Sequence, residues 1–345
     1  MNILFTSNRF HPDIGGIESI SDVLARYFVE AGHSLRLVTQ SAGDAGEDQR
    51  TYTFPIVRRP SLRALLACYR WADVVFQNNI EIRTLWPQLL CRRPLMIALH
   101  TWLRSPAGRR RVVDQLKQLL LSSANRVVSV SEALRADSFR RSTVIGNPYR
   151  SQIFRQLPGI EREQAIVFLG RLVSDKGVDL LLRSFADLSP RKYHLTIIGT
   201  GPERQPLHRL ATDLGISPFV HFLGAIQGEA LVRELNRHQL MVIPSRWREP
   251  FGVVALEGLA CGCVVLASDG GGLPDAIGPA GLLFRRGDQA DLTRQLQLLL
   301  HDCHLRAQLR SQAPAHLARF EADQVCSKYL ELLAGIVPCP SGATC

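Results

Sequence analysis

The chain has 345 residues, 46% hydrophobic and 21% charged, a composition that suits a soluble globular protein and a length that suits two domains of roughly 150 to 180 residues each. Its net charge of +10 is lopsided, with 21 basic against 12 acidic residues in 1–150 and 20 against 19 in the rest, so an anionic partner is expected for the first half only. No apolar run reaches the roughly 18 to 20 residues of a membrane span, the eight cysteines lack CxxC or Cys/His metal spacing, and no helix-turn-helix or basic–aromatic pattern marks a nucleic-acid binder.

Short apolar runs alternate with amphipathic stretches, the pattern of α/β folds with parallel sheets. The start, MNILFTSNRF, enters a strand without a basic leader or cleavage site, so no signal peptide is expected and the cytosol is. Strands are predicted at Ile3–Ser7, Leu35–Thr39, Asp73–Gln77, Leu95–Leu99 and Arg126–Ser129. Helical periodicity over Ile17–Ala31 stops at Gly32, a residue type that commonly ends helices. The intervening Asn8–Gly16 segment carries Gly15 and Gly16, which let a phosphate or sugar approach the helix N-terminus closely; an ordinary loop is the alternative. His100 follows the Leu95–Leu99 strand, and taken alone it reads as a structural strand-end residue. Arg104, Arg109, Arg110, Arg111 and Lys117 come next. The stretch RRRVVDQLKQLLL predicts a helix with Val112, Val113, Leu116 and Leu120 on one side, either packed in the core or docked on anionic lipid.

The Pro- and Gly-containing segment from Asn147-Pro148 to Gly159 reads as a linker between a first domain, residues 1–150, and a second, residues 160–318. The pattern then restarts, with strands at Ala165–Leu169, Leu195–Ile198, Phe219–Phe222, Leu240–Ile243 and Val264–Ala267. Ligands of parallel sheets collect beyond the carboxyl ends of the strands, so the segments just after each strand matter most. After the first comes Gly170-Arg171-Leu172-Val173-Ser174-Asp175-Lys176-Gly177. Arg171 is a forked donor and Lys176 a mobile point charge, a pair suited to a diphosphate on an exposed loop; incidental surface charge is the alternative. Gly199-Thr200-Gly201 is a GxG turn, but Arg204 stands where a dinucleotide fingerprint needs its third glycine, which disfavours an NAD-dependent dehydrogenase. In Pro244–Gly272, PSRWREPFGVVALEGLACGCVVLASDGGG, Glu249 lies on a loop and Glu257 about two turns into the following helix. Phe251, Gly252, Val253 and Val254 are predicted to start that helix and to offer free N–H groups to a phosphate or sugar. Cys261 and Cys263 read as packing residues rather than a metal or redox pair. Helices are predicted at Ala290–His301 and Ala322–Leu333. Whether the last one, about residues 320–335, crosses back to the first domain is left open, and the tail 338–345 is expected to be disordered.

Taken together, the EPFG…E spacing, the upstream GRL…KG loop, the early Gly15-Gly16 and the later GGLPD resemble glycosyltransferase family 4 over nearly the whole chain. The resemblance implies the GT-B fold, an α/β architecture of two Rossmann-like domains facing each other across a cleft. The N-terminal domain would bind acceptor and the C-terminal domain donor. It also implies transfer with retention from a nucleoside-diphosphate sugar, without bound metal or other cofactor, and the chain contains no DxD sequence. By the same resemblance Arg171 and Lys176 match the diphosphate-binding pair, and Gly15-Gly16 the phosphate-side loop. Glu249 matches the carboxylate on the donor sugar's hydroxyls, Glu257 the one on ribose, and His100 a histidine near the transferred sugar. Gly170, Gly199, Phe251, Gly252, Val253 and Val254 complete the donor-binding set. The implied partners are a hexose or N-acetylhexosamine donor, a UDP-sugar in preference to GDP-mannose, and a glycan, lipid-linked or small-molecule acceptor of polysaccharide or glycoconjugate synthesis. Contact with anionic membrane at the cytoplasmic face is a further implication; nucleic acid is not a partner. The chain departs from the family at Gly258, where alanine is frequent, at Cys263, where proline is common, and at Ile145–Tyr149, a scrambled PNG turn. A sugar-nucleotide epimerase or phosphorylase on this fold, or a catalytically silent scaffold, is the alternative.

Overall fold

Every strand pairing among the described residues is parallel, so each connection must cross over a sheet, and the amphipathic stretches of the chain supply the helices that do so. The structure, a computed structural model, describes residues 1–13, 15–103, 112–162, 164–188 and 192–338. It separates into unit 1, Met1–Asn147 with Ala322–Cys345, and unit 2, Pro148–Glu321. The basic residues Arg104, Arg109, Arg110 and Arg111 lie outside the described residues, as does the tail from Cys339 onward.

Unit 1 carries β1 (Asn2–Ser7), β2 (Ser34–Thr39), β3 (Ile56–Arg58), β4 (Val74–Asn78), β5 (Leu95–Leu99), β6 (Arg126–Ser129) and β7 (Thr143–Val144) in the order β3-β2-β1-β4-β5-β6-β7. All residues of β4 and β5 are buried, as expected of strands covered on both faces. The helix Gly16–Glu30 buries Ile20, Leu24, Ala25 and Phe28 at helical spacing and ends before Gly32, whose φ of 84° only glycine adopts freely. The helix Ala322–Ala334 buries Val325, Cys326, Tyr329 and Leu333 in the same core, with the Tyr329 ring 5.7 Å from Phe76 of β4. The last helix therefore belongs to unit 1. With this strand order, the right-handed rule for parallel crossovers puts Leu62–Trp71, Gln88–Cys91 and Val112–Ser123 over one face of the sheet and Gly16–Glu30 over the other. The predicted apolar side of Val112–Ser123 is not a core face: Val113 and Leu116 are exposed, and it is Leu121 that is buried.

Unit 2 carries β8 (Gln164–Leu169), β9 (Leu195–Ile198), β10 (Val220–Gly224), β11 (His238–Ile243), β12 (Val264–Ser268) and β13 (Gly281–Phe284) in the order β10-β9-β8-β11-β12-β13. Helix Val178–Ala186 packs Val178, Leu181, Leu182 and Phe185 into the core beneath this sheet. In both sheets the chain reverses direction of travel between two neighbouring central strands, β1 and β4 in one, β8 and β11 in the other. Loops diverge at such a point, which leaves a crevice at the carboxyl ends of the strands.

Candidate functional site

At the β8/β11 reversal, two loops far apart in sequence are stitched together. The turn Ser174–Lys176 ends at Gly177, with φ of 68°, where any side chain would run into the carbonyl of Pro244. The carbonyl of Asp175 accepts from the N–H groups of Arg246 and Trp247, at 2.8 and 3.1 Å. Arg246 in turn grips Asp179 with two bonds of 2.6 and 2.7 Å. The result is an ion pair: Lys176 Nζ lies 2.5 Å from Glu249 Oε1, and Ser245 Oγ donates to the same oxygen at 2.8 Å. The backbone of Glu249 is held as well, because its carbonyl accepts from Gly272 N–H at 2.7 Å beside a bridge to Gly271. Lys176 is thus not on an exposed loop, as the sequence suggested; its side chain is 21% exposed and that of Glu249 15%. Arg171, at the start of the same segment, is exposed. Gly199 and Gly201 let the loop after β9 touch the loop after β8, since a side chain on either would strike the carbonyl of Gly170 or Leu172. Gly170 itself lies against the Phe168 ring.

The helix after Glu249 starts later than predicted. It spans Val253–Ala260, with Gly252 at φ 118° as its cap, and Phe251 is a core residue whose ring packs 5.5 Å from Phe320. Phe251 and Gly252 therefore precede the helix, and the free first-turn N–H groups are those of Val253 and Val254. Glu257, in the second turn, is largely buried, with Arg150 3.7 Å away. Burial pushes its carboxyl up to about 7, against the smaller opposing pull of Arg150. Ser245 and Arg150 escape sequence reading because neither stands in a recognisable spacing with its partner.

At the β1/β4 reversal of unit 1, Ser7 and Asn78 end neighbouring strands in register. Gly15 and Gly16 open the helix beyond β1; space beside Gly16 is empty, whereas a side chain on Gly15 would crowd the Glu18 carboxylate. Arg58, paired with Asp48 at 2.7 Å, donates to the carbonyls of His11, Ser41 and Ala42 and so ties this loop to its neighbours. His100 is buried, and its Nε2 lies 2.6 Å from Asn78 Oδ1. Burial lowers its imidazole pKa to about 4, the Asn147 amide opposing, so His100 is neutral at pH 7.

Among the described residues no group of three or more His, Cys, Asp or Glu is placed to hold a metal ion. Cys261 and Cys263 are buried and free, and burial pushes their thiols up to about 12 and 11, in keeping with packing residues. A cleft of about 740 Å³ beside Thr196, His221, Leu223, Arg233 and Arg237 contains none of the predicted site residues.

Comparison with known proteins agrees with this layout. The family described as Glycosyltransferase Family 4 matches residues 14–148, and Glycosyl transferases group 1 matches residues 150–316. The chain belongs to glycosyltransferase family 4. A D-inositol 3-phosphate glycosyltransferase of Corynebacterium jeikeium is 32% identical over 246 residues, covering 63% of this chain and 58% of the relative. An uncharacterized glycosyltransferase of Methanocaldococcus jannaschii is 39% identical over 239 residues, covering 62% and 59%. The chain thus spans little more than half the length of the curated relatives it matches. Among solved structures, Anabaena HepE in complex with UDP superposes with a TM-score of 0.84 at 22% identity, covering 97% of this chain and all of that one. The fold is therefore GT-B, two Rossmann-like domains. One departure from the usual family 4 sequence has a local cause: an added methyl at Gly258 would press on Met241 of β11, 2.5 Å from its sulfur. Among the described residues no helix is long and apolar enough to cross a membrane.

Proposed function

We propose that this family 4 protein is a retaining, metal-independent glycosyltransferase that moves a hexose or N-acetylhexosamine from a UDP-sugar to a glycan, lipid-linked or small-molecule acceptor. The observation that carries the reading is the meeting of Lys176 and Glu249 at the β8/β11 reversal, with Ser245 beneath them. Breaking the sugar–phosphate bond builds negative charge on the leaving diphosphate and positive charge on the sugar. Arg171, Lys176 and the N–H groups of Val253 and Val254 stabilise the first, and Glu249 accepts from the sugar's hydroxyls. Glu257 accepts from the ribose diol, the Gly15-Gly16 loop serves the phosphate, and His100 serves the transferred sugar. The departing phosphate oxygen takes the acceptor's proton on the same face, which retains configuration. Solved relatives with UDP or UDP-glucose bound support the choice of base. Turnover of a UDP-sugar is expected only with an added acceptor, an inositol phosphate included in the panel, with the anomer retained and with EDTA without effect. A donor epimerised without acceptor, or activity abolished by EDTA and restored by a divalent metal, would contradict the proposal.

A specific observation favours a membrane-proximal acceptor. Among the described residues, the large apolar side chains of unit 1 that are exposed are Leu62, Leu89, Leu90, Val113, Leu116 and Leu119. All six sit on the helices that cross one face of its sheet, interspersed with exposed Arg63, Arg70 and Arg92. Apolar side chains among arginines suit the interface of an anionic bilayer, each cation there contributing about 1 kcal/mol. The full chain is expected to sediment with phosphatidylserine vesicles at low salt and to be released at high salt. A Leu89→Ser/Leu90→Ser/Leu116→Ser variant that still sediments as well as the wild type would leave the charge to a soluble acidic acceptor.

A further inference from the structure

Behind His100 lies a chain of buried polar side chains that ends on the strand reversal of unit 1. Asn78, Ser21 and Ser7 are all buried; Asn78 Nδ2 donates to Ser21 Oγ at 2.7 Å, and Ser21 Oγ lies 2.9 Å from Ser7 Oγ. Ser7 spends its own proton on the carbonyl of Arg9, at 2.8 Å. The single proton of Ser21 is then contested by two acceptors, the Ile17 carbonyl at 2.8 Å and Ser7 Oγ. Ser21 has nothing left to donate to Asn78, so the amide must turn its NH2 to Ser21 and its oxygen to His100. That oxygen faces Nε2, which must therefore carry the imidazole proton. The next residue holds the backbone: Asn79, at φ 72°, accepts from His100 N–H at 3.4 Å and from the Thr101 hydroxyl at 3.2 Å.

At the other end of the ring, His100 Nδ1 and Asn147 Oδ1 are both buried and make no hydrogen bond among the described residues. A buried acceptor without a donor costs on the order of 1–3 kcal/mol unless something fills it. We propose that Ser21 and Asn78 are positioning residues that hold His100 in one tautomer, protonated on Nε2, so that Nδ1 presents a bare lone pair. A bare Nδ1 cannot donate to a phosphate oxygen and accepts from a hydroxyl. Resting on the donor-sugar reading above, His100 then receives a sugar hydroxyl and does not touch the diphosphate.

The full chain labelled with 15N-histidine tests this by long-range proton–nitrogen correlation, with His100→Gln identifying the signal among the ten histidines. In the wild type His100 is expected to show a protonated Nε2 and a bare Nδ1. In Asn78→Leu and Ser21→Ala, folded by circular dichroism, the signal is expected to move toward a mixture of tautomers. The KM for donor is expected to rise about 5-fold, the loss of one hydrogen bond, with kcat changed less. A proton on Nδ1 in the wild type, or a His100 signal unmoved in both variants, overturns the proposal. If the tautomer shifts as stated while His100→Gln transfers sugar normally, the positioning stands and the sugar contact of His100 falls.

Discussion

Lys176→Ala is expected to lower transfer at least ~100-fold, the scale of losing one preorganised donor to developing charge. The ion pair with Glu249 gives this residue a second task, because a largely buried carboxylate loses its counter-charge when the ammonium goes. Ser245 alone would then satisfy the Glu249 oxygen, and stability should fall by about 1.5–3 kcal/mol, the worth of a hydrogen bond between charged groups. The two tasks separate in the double variant Lys176→Ala/Glu249→Gln. Removing the carboxylate's charge should restore the melting temperature, since no unpaired anion remains. It should not restore turnover, because the leaving diphosphate still lacks its cation. Steady-state kinetics beside thermal melts of both variants decide the matter. Recovery of activity together with stability would reduce Lys176 to a counter-ion for Glu249 and remove it from the chemistry.

This pair also marks where sequence reading stops. Lys176 and Glu249 each stand in a legible motif at a strand end, so both were found, but 73 residues separate them and no spacing announces that they touch. The same holds for Asn78, which contacts Ser21 across 57 residues and His100 across 22; none of the three positions forms a pattern with the others. Strands covered on both faces, such as β4 and β5, were legible because burial demands continuous apolar runs. The short edge strands β3, β7 and β13 were not. They are two to four residues long and partly exposed, so they carry little apolar signal, and β13 opens with a glycine after Pro279. Gly15 and Gly16 were read as places where a ligand approaches and Gly199 as part of the donor site; Gly177, Gly199, Gly201 and Gly271 are places where one backbone approaches another. Without them the loops after β8, β9 and β11 could not close on each other, and the ion pair would not form.

Glu257→Gln should separate stability from binding, and pH should reveal both. The carboxyl titrates near 4.5 when unfolded and at about 7 when buried, so between these values the folded chain holds more protons than the unfolded one. Stability contributed by the protonated acid is therefore complete below about pH 4.5 and is lost as pH rises through about 7, a loss of about 3 kcal/mol by pH 8. Glutamine carries no charge at any pH. The variant should match the wild type near pH 4.5 and melt higher than it at pH 8. Donor binding runs the other way, because the ribose diol donates its hydroxyls and prefers the ionised carboxylate. Wild-type affinity for the intact UDP-sugar, whose diphosphate does not titrate in this range, should rise about tenfold from pH 6 to pH 8, following the ionised fraction of a group titrating at about 7. The variant should bind more weakly at pH 8, on the order of 10- to 100-fold, and show no such rise. Calorimetric titration at the two pH values measures this, and Glu249→Ala provides the contrast. Glu257 variants should weaken UDP and UDP-sugar alike, whereas Glu249→Ala should weaken only the ligand that carries the sugar. Equal losses for both ligands in both variants would end the division of labour between the two carboxylates, and a pH-independent wild type would show that Glu257 stays ionised against its burial.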